Sequence, residues 1–191
     1  MYIIPNHNTV FIHVNKTGGR SAVKWMSENL EGFYCVGLPL LHKSYDHVKH
    51  LIFQDQRIMS IVRNPFERYE SLYSYRRQKY SKGHRAERNV AATCLPFEAW
   101  MWRMLRSNDI LDSPQQDWLP FGHQDLHLLR LEHLQEDLFS SFRIPNGLAS
   151  PLPHINKSFR QKVEWSEKLR WALIGREEWL FQNLYYEEVP R

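Results

Sequence analysis

The sequence predicts a three-layer α/β domain, with a mainly parallel central sheet flanked by helices, spanning residues 1–191 as a single unit. Two short apolar runs carry that expectation, residues 9–14 and residues 57–62, each ending at a charged or glycine-bearing turn before a segment with helical spacing. A strand buried on both faces of a parallel sheet reads as continuous Val, Ile and Phe rather than as an alternation. Composition agrees: 42% hydrophobic residues and seven tryptophans in 191 residues suit one folded domain with a sizeable core. No Pro/Gly-rich linker, internal repeat or low-complexity segment divides the chain.

The first strand runs through Phe11-Ile12-His13-Val14 into Asn15-Lys16-Thr17-Gly18-Gly19-Arg20-Ser21. Gly18 and Gly19 permit a tight turn that brings backbone amides close to an anion, and Ser21 opens a helix carrying Val23, Met26 and Leu30 on one face. Amides at a helix start attract phosphate, and Lys16 adds a mobile positive charge. The order of residues excludes two familiar loops. In G-x-x-x-x-G-K-[ST] the lysine follows the glycines, whereas here it precedes them, and G-x-G-x-x-G needs more than one adjacent pair. A phosphate loop that need not hold a triphosphate with its metal remains. His13, between Ile12 and Val14, reads as a structural histidine beside that loop rather than as a second base.

The second strand, Arg57 to Val62, delivers Arg63 to the carboxyl edge of the sheet. Pro65 disfavours helix at Asn64 but fits the first turn of a helix with Phe66, Tyr69, Leu72 and Tyr73 on one face. Ser71 lies about two turns along it. An arginine fork and a hydroxyl suit a second phosphate group.

With both motifs in this order, the chain resembles the sulfotransferases that use 3′-phosphoadenosine 5′-phosphosulfate, whose fold is P-loop-like. Lys-Thr-Gly-Gly-x-Ser and Val-Arg-Asn-Pro-Phe-x-Arg-x-x-Ser-x-Tyr are similar to their two nucleotide-binding elements, and the nearest likeness is to the carbohydrate branch typified by heparan sulfate 2-O-sulfotransferase. The resemblance implies that Lys16, Thr17, Gly18, Gly19, Arg20 and Ser21 line the 5′-phosphosulfate side and that Arg63 and Ser71 bind the 3′-phosphate. It implies a catalytic base at His42, in the context His42-Lys43-Ser44-Tyr45, and a closing role for Lys157 and Ser158 in Leu152-Pro153-His154-Ile155-Asn156-Lys157-Ser158. Two positions depart from the family pattern. Asn15 stands where proline is usual, and Arg20 replaces a small residue, usually threonine.

The implied reaction moves a sulfuryl group to an acceptor hydroxyl, for which the resemblance implies a carbohydrate, and leaves adenosine 3′,5′-bisphosphate. Sulfuryl transfer resembles phosphoryl transfer, so positioning and charge stabilisation supply most of the catalysis. Lys16 would meet charge on the leaving phosphate oxygen, His42 would take the acceptor proton, and no metal is required. Two other readings stay open: an ATP-dependent small-molecule kinase, and a non-catalytic module binding nucleotide or polyanion.

The rest of the chain bears on partners. A net charge of +4 suits an anionic cofactor and falls short of the basic stripe expected for nucleic acid. The run from Tyr75 to Arg88 is the basic exception and reads as a solvated loop leaving a helix, or as a rim attracting an acidic sugar. Helices are expected over Pro96 to Arg106, from Glu132-His133-Leu134 to about Phe142, and over Ser166 to Tyr186, with a strand at Asp125 to Leu131. Cys35 and Cys94 have neither disulfide-framework nor metal-ligand spacing. No leader or membrane-spanning run is seen, so a soluble, cytoplasmic enzyme of microbial or viral type is expected, with no membrane partner. Oligomeric state has no signature in the sequence.

Overall fold

The computed structural model describes residues 1–36, 44–109, 111–120, 123–145, 150–153, 163–185 and 187. In chain order the strands and α-helices are β1 (Tyr2–Ile4), β2 (Thr9–Ile12), α1 (Gly19–Asn29), β3 (Tyr34–Cys35), α2 (Tyr45–Val48), β4 (Arg57–Val62), α3 (Pro65–Ser81), α4 (Glu87–Cys94), α5 (Phe97–Leu105), β5 (Leu126–Arg130), α6 (Leu134–Ser141), α7 (Glu167–Arg176) and α8 (Glu178–Asn183). They fall into two compact units. One holds Met1–Arg63 with Asp117–Asn156, and the other Asn64–Gln116 with Lys157–Arg191.

The first unit is built on a five-stranded sheet of order β3-β1-β2-β4-β5. β4 lies between β2 and β5 and is parallel to both, while β1 is antiparallel to β2 and to β3. The parallel trio is the part that continuous apolar sequence predicts. Val10, Phe11 and Ile12 in β2 and Ile58, Met59, Ile61 and Val62 in β4 are all almost wholly buried. Their side chains alternate between two helical covers. Phe11, Met59, Ile61 and Leu129 pack with Trp25 and Met26 of α1 and Leu134 and Leu138 of α6. Val10, Ile12 and Ile58 pack with Val48 of α2. Burial on both faces is what removes the polar alternation from the sequence. The antiparallel edge was not expected. β1 is three residues long and reaches β2 through a single 3-10 turn at Pro5–His7, closed by Asn8 at φ 45, a conformation asparagine tolerates.

In the second unit α3 begins as the sequence predicts. Pro65 occupies the first helical turn, and the Asn64 side-chain oxygen accepts from the Glu67 amide at 3.3 Å. Phe66, Tyr69, Leu72 and Tyr73 are buried. Phe66 meets Trp165 and Phe181, and Tyr73 meets Phe97 and Trp100, with ring centroids 4.9–5.3 Å apart. Beneath the aromatics lies a buried ionic network. Arg68 pairs with Glu177 at 3.3 Å and donates to the Ser113 carbonyl at 3.1 Å, while Glu177 also accepts from the Gln115 amide at 2.9 Å. Arg76 pairs with Asp112, which accepts from the Ser107 hydroxyl at 3.0 Å.

Two sequence expectations are corrected here. The basic run does not leave the helix at Tyr75, because α3 continues through Ser81 and is closed by Gly83 at φ 85. The His84 amide donates to Lys79 and that of Gly83 to Tyr80, a Schellman cap that satisfies the last carbonyls. The final helix is not continuous over Ser166 to Tyr186 either. It is interrupted at Glu177 (φ −110, ψ 30), whose carboxylate is held by Arg68 and the Gln115 amide. Ser166 stands at the N-cap position, but its hydroxyl donates to Glu98 at 2.7 Å rather than capping the helix.

Candidate functional site

β2 and β4 are adjacent and parallel, so the turn after β2 and the residue after β4 emerge at the same edge of the sheet. That carboxyl edge is where open α/β sheets bind ligands. The turn after β2 is tightly specified. Lys16 (φ 68) and Gly18 (φ 81) have positive φ, whereas Asn15, Thr17 and Gly19 between and beside them do not. An alternation of this kind points successive amides into one concavity, the backbone nest that receives anions. The Thr17 hydroxyl donates to the Val14 carbonyl at 2.9 Å in the interior and closes the turn. The Ser21 amide donates to the Gly18 carbonyl at 3.0 Å, which starts α1.

Gly19 is required by contact, and Gly18 by its positive φ, where a side chain is strained whatever the space. A Cβ on Gly18 would lie 2.4 Å from Leu131 Cδ1, and one on Gly19 would lie 2.0 Å from His13 Cδ2 and 2.2 Å from His13 Nε2. His13 is therefore part of the loop's architecture: it is 8% exposed, its ring lies against Gly19, and it stacks on Phe11.

Two cations share the loop. Arg63 is 5% exposed and its Nη1 donates to the Lys16 carbonyl at 3.5 Å. Lys16 is half-buried, and burial first, then the positive charge of Arg63, lowers its pKa from 10.5 to about 8. The lysine is thus still largely protonated at neutral pH, in a place that disfavours its charge. A concavity of amides with two cations at its edge fits a multiply charged anion.

Lys16, Thr17, Gly18, Gly19, Arg20, Ser21 and Arg63 are brought together in the first unit. Within that group Arg20 is exposed, and Thr17 and Ser21 are buried. Ser71 is buried on α3 in the second unit. His42, Lys157 and Ser158 lie outside the described residues. His13 stands as the sequence reading has it, a structural histidine beside the loop. Its signal was its place, three residues before the loop lysine at the end of a buried strand.

A family model described as the sulfotransferase family matches residues 1–144. The chain belongs to the sulfotransferase family. The matched span contains the turn after β2 and the β4–α3 motif, and ends before α7. Comparisons with curated proteins and with solved structures give no match. Membership makes the protein a sulfotransferase enzyme, with an acceptor substrate, and the mixed α/β fold with its central parallel strands agrees with that family. Among the described residues no helix is long and apolar enough to cross a membrane, and no group of three or more His, Cys, Asp and Glu is placed to hold a metal ion.

Proposed function

We propose that the protein transfers a sulfuryl group from 3′-phosphoadenosine 5′-phosphosulfate to a hydroxyl of a carbohydrate acceptor. The observation that carries the reading is the pair Lys16 and Arg63, two cations on one anion-binding turn at the ends of adjacent parallel strands. The turn from Lys16 to Ser21 would hold the 5′-phosphosulfate, with Thr17, Gly18, Gly19 and Arg20 supplying backbone amides. Arg63 and Ser71 would take the 3′-phosphate, and Lys157 and Ser158 would close over the nucleotide. The donor supplies an activated sulfuryl group; the chain supplies charge and proton acceptance. Lys16 Nζ offers a positive charge to the leaving phosphate oxygen, where a preorganised cation is worth more than in water. His42 accepts the proton of the attacking hydroxyl, as a neutral imidazole can near pH 7. The carbohydrate acceptor rests on the likeness of His42 and its neighbours to the carbohydrate branch.

His13 supports a second assignment of the base, because its buried ring stands against the loop glycine. Calorimetric titration with adenosine 3′,5′-bisphosphate, beside ATP with magnesium, tests the donor. Micromolar binding of the bisphosphate, at least tenfold weaker in Arg63→Ala and unmatched by ATP, is expected. Better binding of ATP would replace this reading with a kinase. Turnover of His42→Ala and His13→Ala, each with bisphosphate affinity measured in parallel, assigns the base to the variant that loses turnover while keeping affinity.

A further inference from the structure

Lys16 differs from the other described lysines in its surroundings. Lys24 and Lys49 are exposed and pair with Glu28 at 3.7 Å and Asp46 at 3.1 Å, Lys79 and Lys168 lie over the rings of Tyr75 and Trp102, and Lys82 is exposed beyond the end of α3. Lys16 is half-buried on the turn that forms the backbone nest, and Arg63 Nη1 donates to its carbonyl at 3.5 Å. Burial and the charge of Arg63 bring its pKa down to about 8. At pH 7.5 about a quarter of Lys16 is then the neutral amine, against about one part in a thousand for a lysine at 10.5. Desolvation beside another cation is one of the ways in which a lysine becomes a nucleophile.

The nest selects the electrophile that such an amine meets. Lys16 at φ 68 and Gly18 at φ 81 aim the amides of the turn at an anion, and a phosphate held there brings with it whatever is bonded to its oxygens. The donor proposed above carries sulfur one bond beyond the oxygen that bridges to its phosphate, and Lys16 Nζ meets that oxygen. An acyl phosphate has the same linkage with a carbonyl carbon in place of the sulfur. Once its phosphate is in the nest, the carbonyl carbon stands beside the amine, and the encounter becomes in effect intramolecular.

We propose that Lys16 is a modification site, acylated by small acyl phosphates that the turn binds through their phosphate group, and that acylation shuts the donor site. The proposal rests on the reading of this turn as the site of the 5′-phosphosulfate. The neutral amine of Lys16 attacks the carbonyl carbon. An N–C bond forms, and the C–O bond to phosphate breaks with its electron pair going to the phosphate. The surplus proton of the amine passes to the departing phosphate, so the products are inorganic phosphate and an Nε-acyl lysine, and nothing is oxidised or reduced. Acylation removes the charge of Lys16 and leaves Arg63 without its companion cation at the turn.

Acetyl phosphate is the probe, and peptide mass spectrometry reads acetylation at each lysine against time and concentration. Lys16 is expected to react about tenfold or more faster than Lys24 and Lys49, at a rate that saturates with acetyl phosphate and falls when inorganic phosphate or adenosine 3′,5′-bisphosphate is added. The N-hydroxysuccinimide ester of acetic acid, which carries no phosphate, should show a smaller preference for Lys16. Arg63→Ala should react about tenfold more slowly with acetyl phosphate, and wild-type protein acetylated at Lys16 should bind the bisphosphate about tenfold more weakly by calorimetry. Acetylation of Lys16 no faster than that of Lys24, a rate linear in acetyl phosphate throughout, or no protection by inorganic phosphate overturns the proposal. So does an equal preference with the ester, an unchanged rate in Arg63→Ala or an unchanged affinity after acetylation. Protection by inorganic phosphate but not by the bisphosphate would keep the modification site and overturn the donor reading instead.

Discussion

Replacing Gly19 with alanine would put a methyl group inside the His13 ring's space. The new Cβ would stand 2.0 Å from Cδ2, 2.2 Å from Nε2 and 2.7 Å from Cγ. Carbon atoms rest at about 3.5–4.0 Å, so the ring must retreat by more than about 1 Å. Retreat is obstructed. His13 is 8% exposed, and its ring is stacked at 6.3 Å on Phe11, which is fully buried in the sheet. Gly19 opens α1 without a positive φ, so alanine suits the backbone there and the clash carries the effect. Overpacking of this kind costs about 1–3 kcal/mol, against which the better helix propensity of alanine returns at most about 1 kcal/mol. Urea unfolding should therefore show a net loss of about 1–2 kcal/mol. Bisphosphate affinity should fall about tenfold or more, since displacement of the turn by about 1 Å misdirects every amide in the nest. The double variant His13→Ala, Gly19→Ala removes the obstacle, and its affinity should return to that of His13→Ala, a coupling of at least about 1 kcal/mol. The reasoning is refuted if Gly19→Ala is as stable and binds as tightly as the wild type, or if the two substitutions simply add.

Further outcomes follow from charge. Bisphosphate affinity should decline as pH rises through about 8, where Lys16 of the free protein releases its proton, and in Lys16→Met it should be weaker at pH 7 and lack that decline. The unfolded lysine keeps its proton up to 10.5, so Lys16 should also make the free protein more stable between pH 8 and 10.5, a rise absent from Lys16→Met in urea unfolding across that window. In the second unit, Arg68→Ala leaves the fully buried Glu177 carboxylate without its ion-pair partner and should cost about 3–5 kcal/mol by urea unfolding. Arg68→Met with Glu177→Leu should recover most of that loss, because both charges then leave the interior together.

What the sequence made legible was set by burial. β2 and β4 stood out because a parallel strand covered on both faces has no polar alternation, and the Asn64-Pro65 boundary because proline constrains both residues. β1 and β3 escaped notice because three and two residues respectively carry no period. The basic run was misplaced for another reason. Its charges describe solvation, whereas α3 is extended by residues that face inward, Tyr73 and Arg76 among them, and ended by Gly83. Arg68 with Glu177, 109 positions apart, is a pairing that no local pattern can disclose, and the last helix is interrupted at that same glutamate. The loop residues stand out in the sequence by type and order. Their division of labour does not, because Thr17 and Ser21 look alike as hydroxyls until the Thr17 bond to the Val14 carbonyl shows one of them holding the turn shut.

The ends of β2 and β4 put two cations beside one turn, with Arg63 donating to the Lys16 carbonyl at 3.5 Å. Lys16 and Arg63 oppose each other in the free protein, and the fall of the lysine pKa to about 8 is the measure of that opposition together with burial. Their backbones resist rearrangement: Arg63 is anchored to the end of β4 and donates to the Lys16 carbonyl, while Lys16 is fixed at φ 68 between a closed turn and the start of α1. An anion entering the turn would offset the charge of Arg63 and raise the lysine pKa back toward its ordinary value, while burial, the larger cause of the fall, would remain.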